Sequence, residues 1–346
     1  MTLMEVYMSK PAAAKRYTFP SPMSVGIALT ALIRAYGYHC HSPEPYSAHS
    51  CTYLVENPHD AADTGGYTIT RKTASAEEYL LTIHRATAPH MRTLIERARN
   101  EAALTEPMAV AWHAVRRGEV GRKDVAVVVG CGPVGLGVIC ALKARGAGTI
   151  VASDFSAGRR ELARRCGADV VVNPAEQSPF RDWKDYGFIG DLNQALVALL
   201  EARDQLGRLP VPWWHAWRVA EALGAAAPKR PIVFECVGMP GVLQSLIDGA
   251  PLMSRIVVAG VCMKEDRIEP AVAINKEIDL RFVLGYTPLE YRDTLHAIAD
   301  GRLHCAPLVT GTVGLAGVDA AFTALGDPDR HAKILIDPSS AATVPA

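Results

Sequence analysis

The longest apolar segment of the chain runs from Val125 to Leu142 and holds eighteen residues without a charge. It opens with Val125–Val129, a nearly continuous β-branched run that is typical of a strand covered on both faces of a parallel sheet. A glycine-rich turn follows, and the pattern then predicts a helix over Leu136–Arg145 and a second strand over Thr149–Ser153. Eighteen apolar residues almost suffice to cross a bilayer, but three glycines within six residues oppose a spanning helix. We therefore predict a βαβ unit and no membrane span.

The same alternation continues towards the C-terminus. Four more strands are predicted, over Asp169–Val172, Ile232–Cys236, Arg255–Val261 and Leu280–Leu284. Helices are predicted between most of them, over Arg159–Cys166, Val242–Gly249 and Leu289–Asp300. Six strands alternating with helices predict an α/β fold with a doubly wound parallel, or Rossmann, sheet.

One interval, residues 175–230, is far longer than a simple crossover requires, and we interpret it as a helical insertion. Asp191–Leu206 carries an apolar stripe at helical spacing, and Trp213, Trp214 and Trp217 follow it closely. Such an aromatic cluster could line a substrate cleft or a subunit contact. The interpretation we favour is a helical pair packed onto the edge of the sheet.

The N-terminal hundred residues give a weaker pattern. Ser24–Ile33 follows basic residues, as in a signal peptide, but two prolines precede it and no small-residue cleavage site follows, so a buried helix is expected instead. The segment from Thr68 to Ala102 resembles a helix more than the strands of a barrel.

Composition and charge narrow the classes of function. The 346 residues are 49% hydrophobic and 21% charged, as in a globular protein, and 36 basic side chains balance 36 acidic ones. The sequence contains no run of basic residues that would predict a nucleic-acid groove. The eight cysteines are scattered without any CxxC pair, which indicates free thiols in a reducing compartment and predicts a cytoplasmic protein.

The candidate chemistry begins at the glycine turn, where Gly130, Gly132 and Gly135 form G-x-G-x-x-G between a strand and a helix. The first glycine permits the tight turn, the second lets a pyrophosphate approach the backbone, and the third lets the helix pack closely. Pro133 and Val134 lie inside the motif, at the positive end of the helix dipole. The context predicts dinucleotide binding, against the simpler alternative of a tight turn without a nucleotide.

Asp154 lies 19 residues beyond Gly135, at the end of the second strand, where its carboxylate can accept from both ribose hydroxyls. A carboxylate there repels a 2′-phosphate and favours NAD, although Arg159 or Arg160 nearby could still hold NADP. Val237 follows the fourth strand at the carboxyl edge of the sheet and is a further cofactor-binding candidate. We expect Glu235, at the end of that strand, to be a structural hydrogen-bonding residue.

From about Ala102 onward the chain resembles the zinc-dependent medium-chain dehydrogenase/reductase family, which includes alcohol, sorbitol and threonine dehydrogenases. The segments that carry the resemblance are ALTEPMAVAWHAV, VVVGCGPVGLGVICALKARGA, ASDFSAGRRELARRCGADVVVNP, VFECVGMPGV, INKEIDLRFVLGYTP, APLVTGTVGL and HAKILIDP. The resemblance implies a GroES-like catalytic domain with zinc and a Rossmann domain with NAD(P). It predicts a catalytic region over 1–106 joined by 307–346, and a cofactor domain over 107–306 with the insertion 175–230.

In the sorbitol dehydrogenase-like branch the glutamate of an EP motif binds zinc, so the resemblance implies that Glu106 is a catalytic residue and zinc ligand. From the residue alone, Glu106 would more often be an acid in the first turn of a helix that Thr105 caps. The upstream ligand motifs of the family are absent, and the N-terminal region is therefore expected to be atypical or incomplete. The upstream His and Cys residues differ from the family in order and spacing, so no zinc site is expected there; they are His39, Cys40, His41, His49 and Cys51.

Three functions remain open. The first is an NAD(P)-dependent oxidoreductase that transfers hydride between the nicotinamide and an alcohol or ketone, assisted by zinc. The second is a zinc-independent reductase on the same scaffold, and the third is a non-catalytic dinucleotide-binding protein. The family also implies a homodimer or homotetramer, with the strand at Leu280–Leu284 as a plausible seam. The sequence does not identify the substrate.

Overall fold

The computed structural model describes residues 33, 38–42, 50–58, 60–73, 76–83, 101–122, 124–223, 229–338 and 340–345. The chain divides into two compact units. Unit 1 comprises residues 1–113, 136–144 and 285–346, and unit 2 comprises residues 114–135 and 145–284. The helix predicted over 24–33 lies outside the described residues apart from Ile33, which is helical and buried.

The strands are β1 (His39–His41), β2 (Ser50–Asn57), β3 (Asp60–Thr73), β4 (Ala76–Ile83), β5 (Val125–Val129), β6 (Thr149–Ser153), β7 (Val170–Val172), β8 (Ile232–Glu235), β9 (Arg255–Val258), β10 (Asp279–Phe282), β11 (Val309–Val313) and β12 (Lys333–Ile336). The α-helices are α1 (Thr105–Gly118), α2 (Pro133–Arg145), α3 (Ala157–Cys166), α4 (Leu192–Leu206), α5 (Trp213–Ala222), α6 (Val242–Gly249), α7 (Pro270–Asn275), α8 (Pro288–Ala299) and α9 (Val318–Ala324).

Unit 2 contains a six-stranded parallel sheet in the order β10-β9-β8-β5-β6-β7. This is the strand order of a doubly wound dinucleotide-binding fold, so the predicted Rossmann sheet is confirmed. The β-branched run in β5 forms because the strand is almost wholly buried. The strand order reverses between β5 and β8, which places the crevice of such folds beyond the ends of these two strands.

All six predicted strands of this sheet are present, with ends displaced by at most three residues. The largest difference is in β9, which ends at Val258 instead of Val261. The amides of Ala259 and Gly260 both donate to the Glu235 carbonyl at 2.9 Å, and this shared acceptor turns the chain out of the ladder. The helices predicted at 159–166, 242–249 and 289–300 agree with α3, α6 and α8 within two residues.

The insertion consists of two parts with different packing. Phe180, Trp183 and Phe188 are buried against the sheet, and the Phe180 and Trp183 rings are stacked with centroids 5.1 Å apart. The helices α4 and α5, in contrast, bury no residue. Our expectation that this helical pair packs onto the sheet edge is therefore wrong; within the insertion, the three earlier aromatic residues make the buried contacts with the sheet.

The described N-terminal residues form a four-stranded antiparallel sheet in the order β1-β2-β3-β4. The helix expected from Thr68 is wrong over residues 68–73 and 76–83, which form the paired strands β3 and β4. Threonine and isoleucine dominate the start of this segment and favour strands, and pairing with β2 supplies partners that a local pattern does not reveal. Residues 84–100 lie outside the described residues.

The C-terminal part of unit 1 pairs β11 with β12 in parallel. Val313, Ala321 and Ile334 form a small core between this pair and α9. No helix within the described ranges is both long and apolar enough to span a membrane.

Candidate functional site

The glycine turn between β5 and α2 is built around two close backbone approaches. Gly130 has φ +90°, and a methyl group there would lie 2.7 Å from the Val237 side chain and 3.1 Å from the Cys236 carbonyl. A methyl group on Gly135 would lie 1.8 Å from the Gly130 carbonyl oxygen. Both positions therefore require glycine, the first for its backbone conformation and the second for the contact between turn and helix.

Gly132 has the opposite environment. A methyl group there would meet no protein atom within 4 Å, and its φ lies outside the left-handed region. Neither fold geometry nor protein packing accounts for glycine at this position. Space left open above a backbone turn at a helix N-terminus suits the close approach of a phosphate.

The amide groups of this turn are available as donors. Helix α2 begins at Pro133, which has no N–H, and the next residues in a helix have no intrahelical acceptor. Within residues 124–223, the amides of Gly132, Val134 and Gly135 donate to no protein group. The turn therefore presents several amides and the positive end of the α2 dipole to one region.

Asp154 is fixed beside this turn by two backbone hydrogen bonds. Its Oδ2 accepts from the Cys131 amide at 2.7 Å, and its Oδ1 accepts from the Ser156 amide at 2.8 Å. An ionised carboxylate has about four acceptor sites, so the remaining two can accept from hydroxyl groups of a ligand. The same bonds link the end of β6 to the glycine turn.

The two arginines after Asp154 have different surroundings. The Arg160 guanidinium donates to the carbonyl oxygens of Asp154 and Phe155 at 2.9 and 2.7 Å, and it is thereby held against the loop. The Arg159 side chain has a buried Nε without a hydrogen-bond partner. No hydrogen bond to a protein group holds the Arg159 guanidinium within the described residues, whereas one amino group of Arg160 is already committed, so Arg159 has the more donor capacity for a ligand.

The loop after β8 is organised by Glu235, which is almost fully buried. Its Oε1 accepts from the amides of Val237 and Gly238 at 2.7 and 2.8 Å. This contact holds Val237 against Gly130, at the point where the strand order reverses. The structural role expected of Glu235 agrees with this geometry.

Cys131 within the turn and Cys236 beside it are poor nucleophiles. Burial, together with the nearby Asp154 carboxylate, raises the pKa of the Cys131 thiol to about 12. Burial also raises the pKa of Cys236 well above its usual range. Both thiols are therefore protonated at neutral pH, and the chemistry of this site does not depend on a thiolate.

Glu106 lies in the first turn of α1, in unit 1. Thr105 does not cap this helix with its oxygen as an acceptor; its hydroxyl instead donates to the Ala102 carbonyl at 2.8 Å. Burial and the negative charge of Glu106 raise the pKa of Tyr286. Burial, the neighbouring Tyr286 and Glu106 raise the pKa of Tyr291 to about 12. Glu106 therefore shares its surroundings with two protonated phenols.

Comparison with known proteins shows that the chain is similar to dehydrogenases. The family model described as "Zinc-binding dehydrogenase" matches residues 133–188. The chain is 29% identical over 240 residues to (R,R)-butanediol dehydrogenase of Bacillus subtilis (strain 168), which covers 69% of this chain and 58% of that protein. It is 42% identical over 84 residues to erythritol/L-threitol dehydrogenase of Mycolicibacterium smegmatis, which covers 24% of this chain and 23% of that protein.

The resemblance to the zinc-type medium-chain dehydrogenase/reductase family is confirmed. A crystal structure of 2R,3R-butanediol dehydrogenase from Bacillus subtilis has the same fold, with a TM-score of 0.50, 23% identity and coverage of 85% of this chain and 75% of that chain. The chain spans less than two thirds of the length of the curated medium-chain dehydrogenases that it matches.

The described part of the chain offers no set of ligands for the zinc that is expected of a medium-chain dehydrogenase. Those residues contain no group of three or more His, Cys, Asp or Glu side chains arranged to hold a metal. The upstream candidates His39 and Cys40 lie in β1, where neighbouring residues point to opposite faces, and Cys40 is buried. Cys51 lies in β2, and His49 is outside the described residues.

One pair in unit 1 was missed in the sequence. His113 Nδ1 lies 3.0 Å from both carboxylate oxygens of Glu290, whose side chain is only 3% exposed. Burial raises the pKa of Glu290, but hydrogen bonds from Thr287 and His113 outweigh it and hold this pKa below its usual range. The motif Thr287-Pro-Leu-Glu290, a capping box at the start of α8, was the available local signal, whereas His113 is 177 residues away.

Proposed function

We propose that this chain is an NAD(P)-dependent oxidoreductase that transfers hydride between a nicotinamide cofactor and a small-molecule alcohol or ketone. The observation that carries the proposal is the open space and the available amides at Gly132, next to a carboxylate fixed on Asp154. The dehydrogenases named above, which act on a butanediol and on tetritols, support the alcohol class.

In this proposal the glycine turn binds the diphosphate of the cofactor. The amides of Gly132, Val134 and Gly135 donate to its oxygens, and Pro133 starts the helix whose dipole favours the negative charge. Gly130 keeps the turn tight, and Val237 forms its apolar wall. The bound nicotinamide supplies a centre that accepts or returns hydride; the residues of the chain bind and orient it.

Asp154 sets the preference between the two nicotinamide cofactors. Its free acceptor sites suit the 2′- and 3′-hydroxyls of the adenosine ribose, and its charge opposes a 2′-phosphate, so we propose NAD. Arg159 is the residue that would pair with a 2′-phosphate, and NADP is therefore the second cofactor to test. Because Arg160 is held by two carbonyl oxygens, it contributes less to that choice.

Glu106 is our proposed catalytic and zinc-binding residue, on the basis of the EP motif alone. Because the described residues bring no other two ligands to it, we derive no step through a metal. A reductase without zinc on the same scaffold is the second candidate, and the two protonated phenols beside Glu106 favour it, since a phenol can donate a hydrogen bond to a carbonyl oxygen.

The wider setting is also proposed. The substrate is a small molecule, and neither nucleic acid nor a membrane is expected as a partner. The scattered cysteines favour the reducing cytoplasm. A homodimer or homotetramer would place the edge strand β10 at a seam, because an edge strand can pair with a second copy.

The experiment is a titration of the full chain with NADH and with NADPH, followed by intrinsic fluorescence and by the melting temperature. Saturable binding with a raised melting temperature is expected, because a ligand of the folded state stabilises it. The absence of binding for both cofactors would overturn the proposal. Binding without turnover on a panel of alcohols and ketones would support the non-catalytic alternative.

Metal analysis of the same purified protein then separates the two catalytic candidates. Zinc in equal amount to protein, with activity lost on chelation and restored by zinc, supports Glu106 as a ligand. Activity that survives chelation supports the zinc-independent reductase. Glu106→Gln should abolish metal binding. Glu101→Gln, a matched control five residues earlier, should leave metal binding unchanged.

A further inference from the structure

The helical pair of unit 2, α4 and α5 with the turn between them, exposes many large apolar side chains. Between Leu192 and Leu223 eleven large apolar side chains are 39% to 77% exposed, and neither helix buries a residue. These side chains are Leu192, Leu196, Val197, Leu199, Leu200, Leu209, Val211, Trp213, Trp214, Val219 and Leu223.

Two helices of this kind need a cover. They have 15 and 10 residues, and isolated helices shorter than about 12–15 residues are marginal in water. Asp191 caps α4 through a hydrogen bond from the Gln194 amide at 2.9 Å, but α5 begins at Trp213, and Pro212 before it provides no side-chain cap. In proteins, helices gain most of their stability from packing an apolar face against other elements. Neither helix of this pair buries a residue.

Six apolar side chains of the pair form one continuous surface. Leu196, Leu199 and Leu200 of α4 and the three tryptophans of α5 line one cavity of about 470 Å³, together with Arg203, Arg218 and Glu221. Tryptophan and arginine are the residues that dominate the central contacts of protein interfaces. The surface therefore has the composition of an interface core with charged groups at its rim.

We propose that the helical pair is a self-association surface that packs against the helical pair of a second copy of this chain. About half the surface of eleven large apolar side chains amounts to on the order of 1,000 Å², and each partner in a standard interface buries about 800 Å². The exposed apolar area of the pair as a whole is therefore of the size that one partner of a standard interface buries.

The charges of the pair favour a second copy over a partner of one sign. Three acidic residues and three arginines lie on the helices and their turn: Glu201, Asp204, Glu221, Arg203, Arg208 and Arg218. A two-fold contact places the same surface on both sides, so the charges on that surface are complementary to themselves only when both signs are present. Glu201 and Arg218 each have no ion pair or hydrogen bond to their side chains within the described ranges, which leaves one anion and one cation for contacts across the axis.

The test measures the mass of the full chain in solution by light scattering over a range of concentrations. Leu200→Glu and Trp214→Glu should each halve the mass of the wild-type oligomer and weaken self-association on the order of 100-fold, because a charge would be buried in the contact. Leu200→Met keeps the apolar contact and should keep the wild-type mass. Phe322→Glu, an exposed apolar residue of α9, is the matched control and should also keep it.

A second measurement needs no substitution. Three of the five tryptophans lie on α5, so quenching of tryptophan fluorescence by acrylamide should increase as the oligomer dissociates on dilution. A monomeric wild type, or helical-pair variants with the wild-type mass, would overturn the proposal even if the pair binds an amphiphile or vesicles. The result is independent of cofactor binding, because the helical pair contains none of the residues assigned to the cofactor.

Discussion

Two glycines of the same turn should respond to alanine in opposite ways. At Gly132 an added methyl group meets no protein atom within 4 Å, whereas at Gly135 it lies 1.8 Å from the Gly130 carbonyl oxygen. Methyl groups essentially never approach another heavy atom closer than 3.0 Å. In Gly135→Ala the turn must therefore open by at least the difference between 1.8 and 3.0 Å, whereas in Gly132→Ala it need not open.

The magnitudes follow from these distances. Gly135→Ala should lower the free energy of unfolding by about 1–3 kcal/mol, as overpacking does in a closely packed site. Gly132→Ala should leave it unchanged within about 0.5 kcal/mol, since the site has no neighbour and no strained φ. The same substitution should raise the Kd for NADH at least tenfold, or about 1.4 kcal/mol, because the methyl group would occupy the place of the diphosphate.

Urea denaturation measures the first quantity, and titration with NADH at fixed salt concentration measures the second. The contrast isolates the ligand from the fold, because Gly132→Ala changes binding without changing stability. Unchanged NADH affinity in this variant would refute the approach of the diphosphate to Gly132. A clear loss of stability would instead refute the open space above it.

The other predictions concern charged groups. Asp154→Asn removes the charge but keeps an acceptor, and the preference for NADPH relative to NADH should rise about tenfold in paired titrations; an unchanged ratio would contradict the role of the charge. The pKa of Glu290 is lowered in the fold, so its contribution to stability is present above about 4.5 and is lost as the pH falls through the folded value. Glu290→Gln should therefore be less stable at pH 7, by about 1–2 kcal/mol, with a difference from wild type that shrinks below pH 4.5 in denaturant melts; a constant difference would argue against the pair with His113. The Arg255 guanidinium is 10% exposed and donates to the Gly118 carbonyl at 2.8 Å, so Arg255→Met should lower the free energy of unfolding by about 2 kcal/mol in urea melts; a change below 0.5 kcal/mol would contradict this.

The sheet of unit 2 was predictable because most of its strands are short apolar runs that are bounded by polar or turn residues. The spacing from Gly130 to Asp154 likewise placed a carboxylate beside the glycine turn, and the structure brings the two together through the Cys131 amide. Local pattern sufficed wherever a residue's environment is set by its near neighbours in sequence.

The sequence failed where partners are distant. The end of β3 from Thr68 onward, and β4 after it, were mistaken for helix because their identity depends on the pairing of β3 with β2 and β4. The contact of His113 with Glu290 joins residues 177 positions apart, and no periodicity connects them. For the helical pair, the helices themselves were predicted but their exposure was not. The spacing of apolar residues shows which face of a helix is apolar, but it does not show what packs against that face.

The three aromatic residues at the start of the insertion belong to the core of the sheet, whereas the helices α4 and α5 after them do not. Phe180, Trp183 and Phe188 complete the hydrophobic layer before the chain enters α4. A shortened chain that joins residue 191 to residue 229 would keep these rings and all six parallel strands. The insertion thus consists of an aromatic part that completes the core of the sheet and a helical part that the sheet does not need. Related proteins should therefore differ in length after Phe188 and not before it.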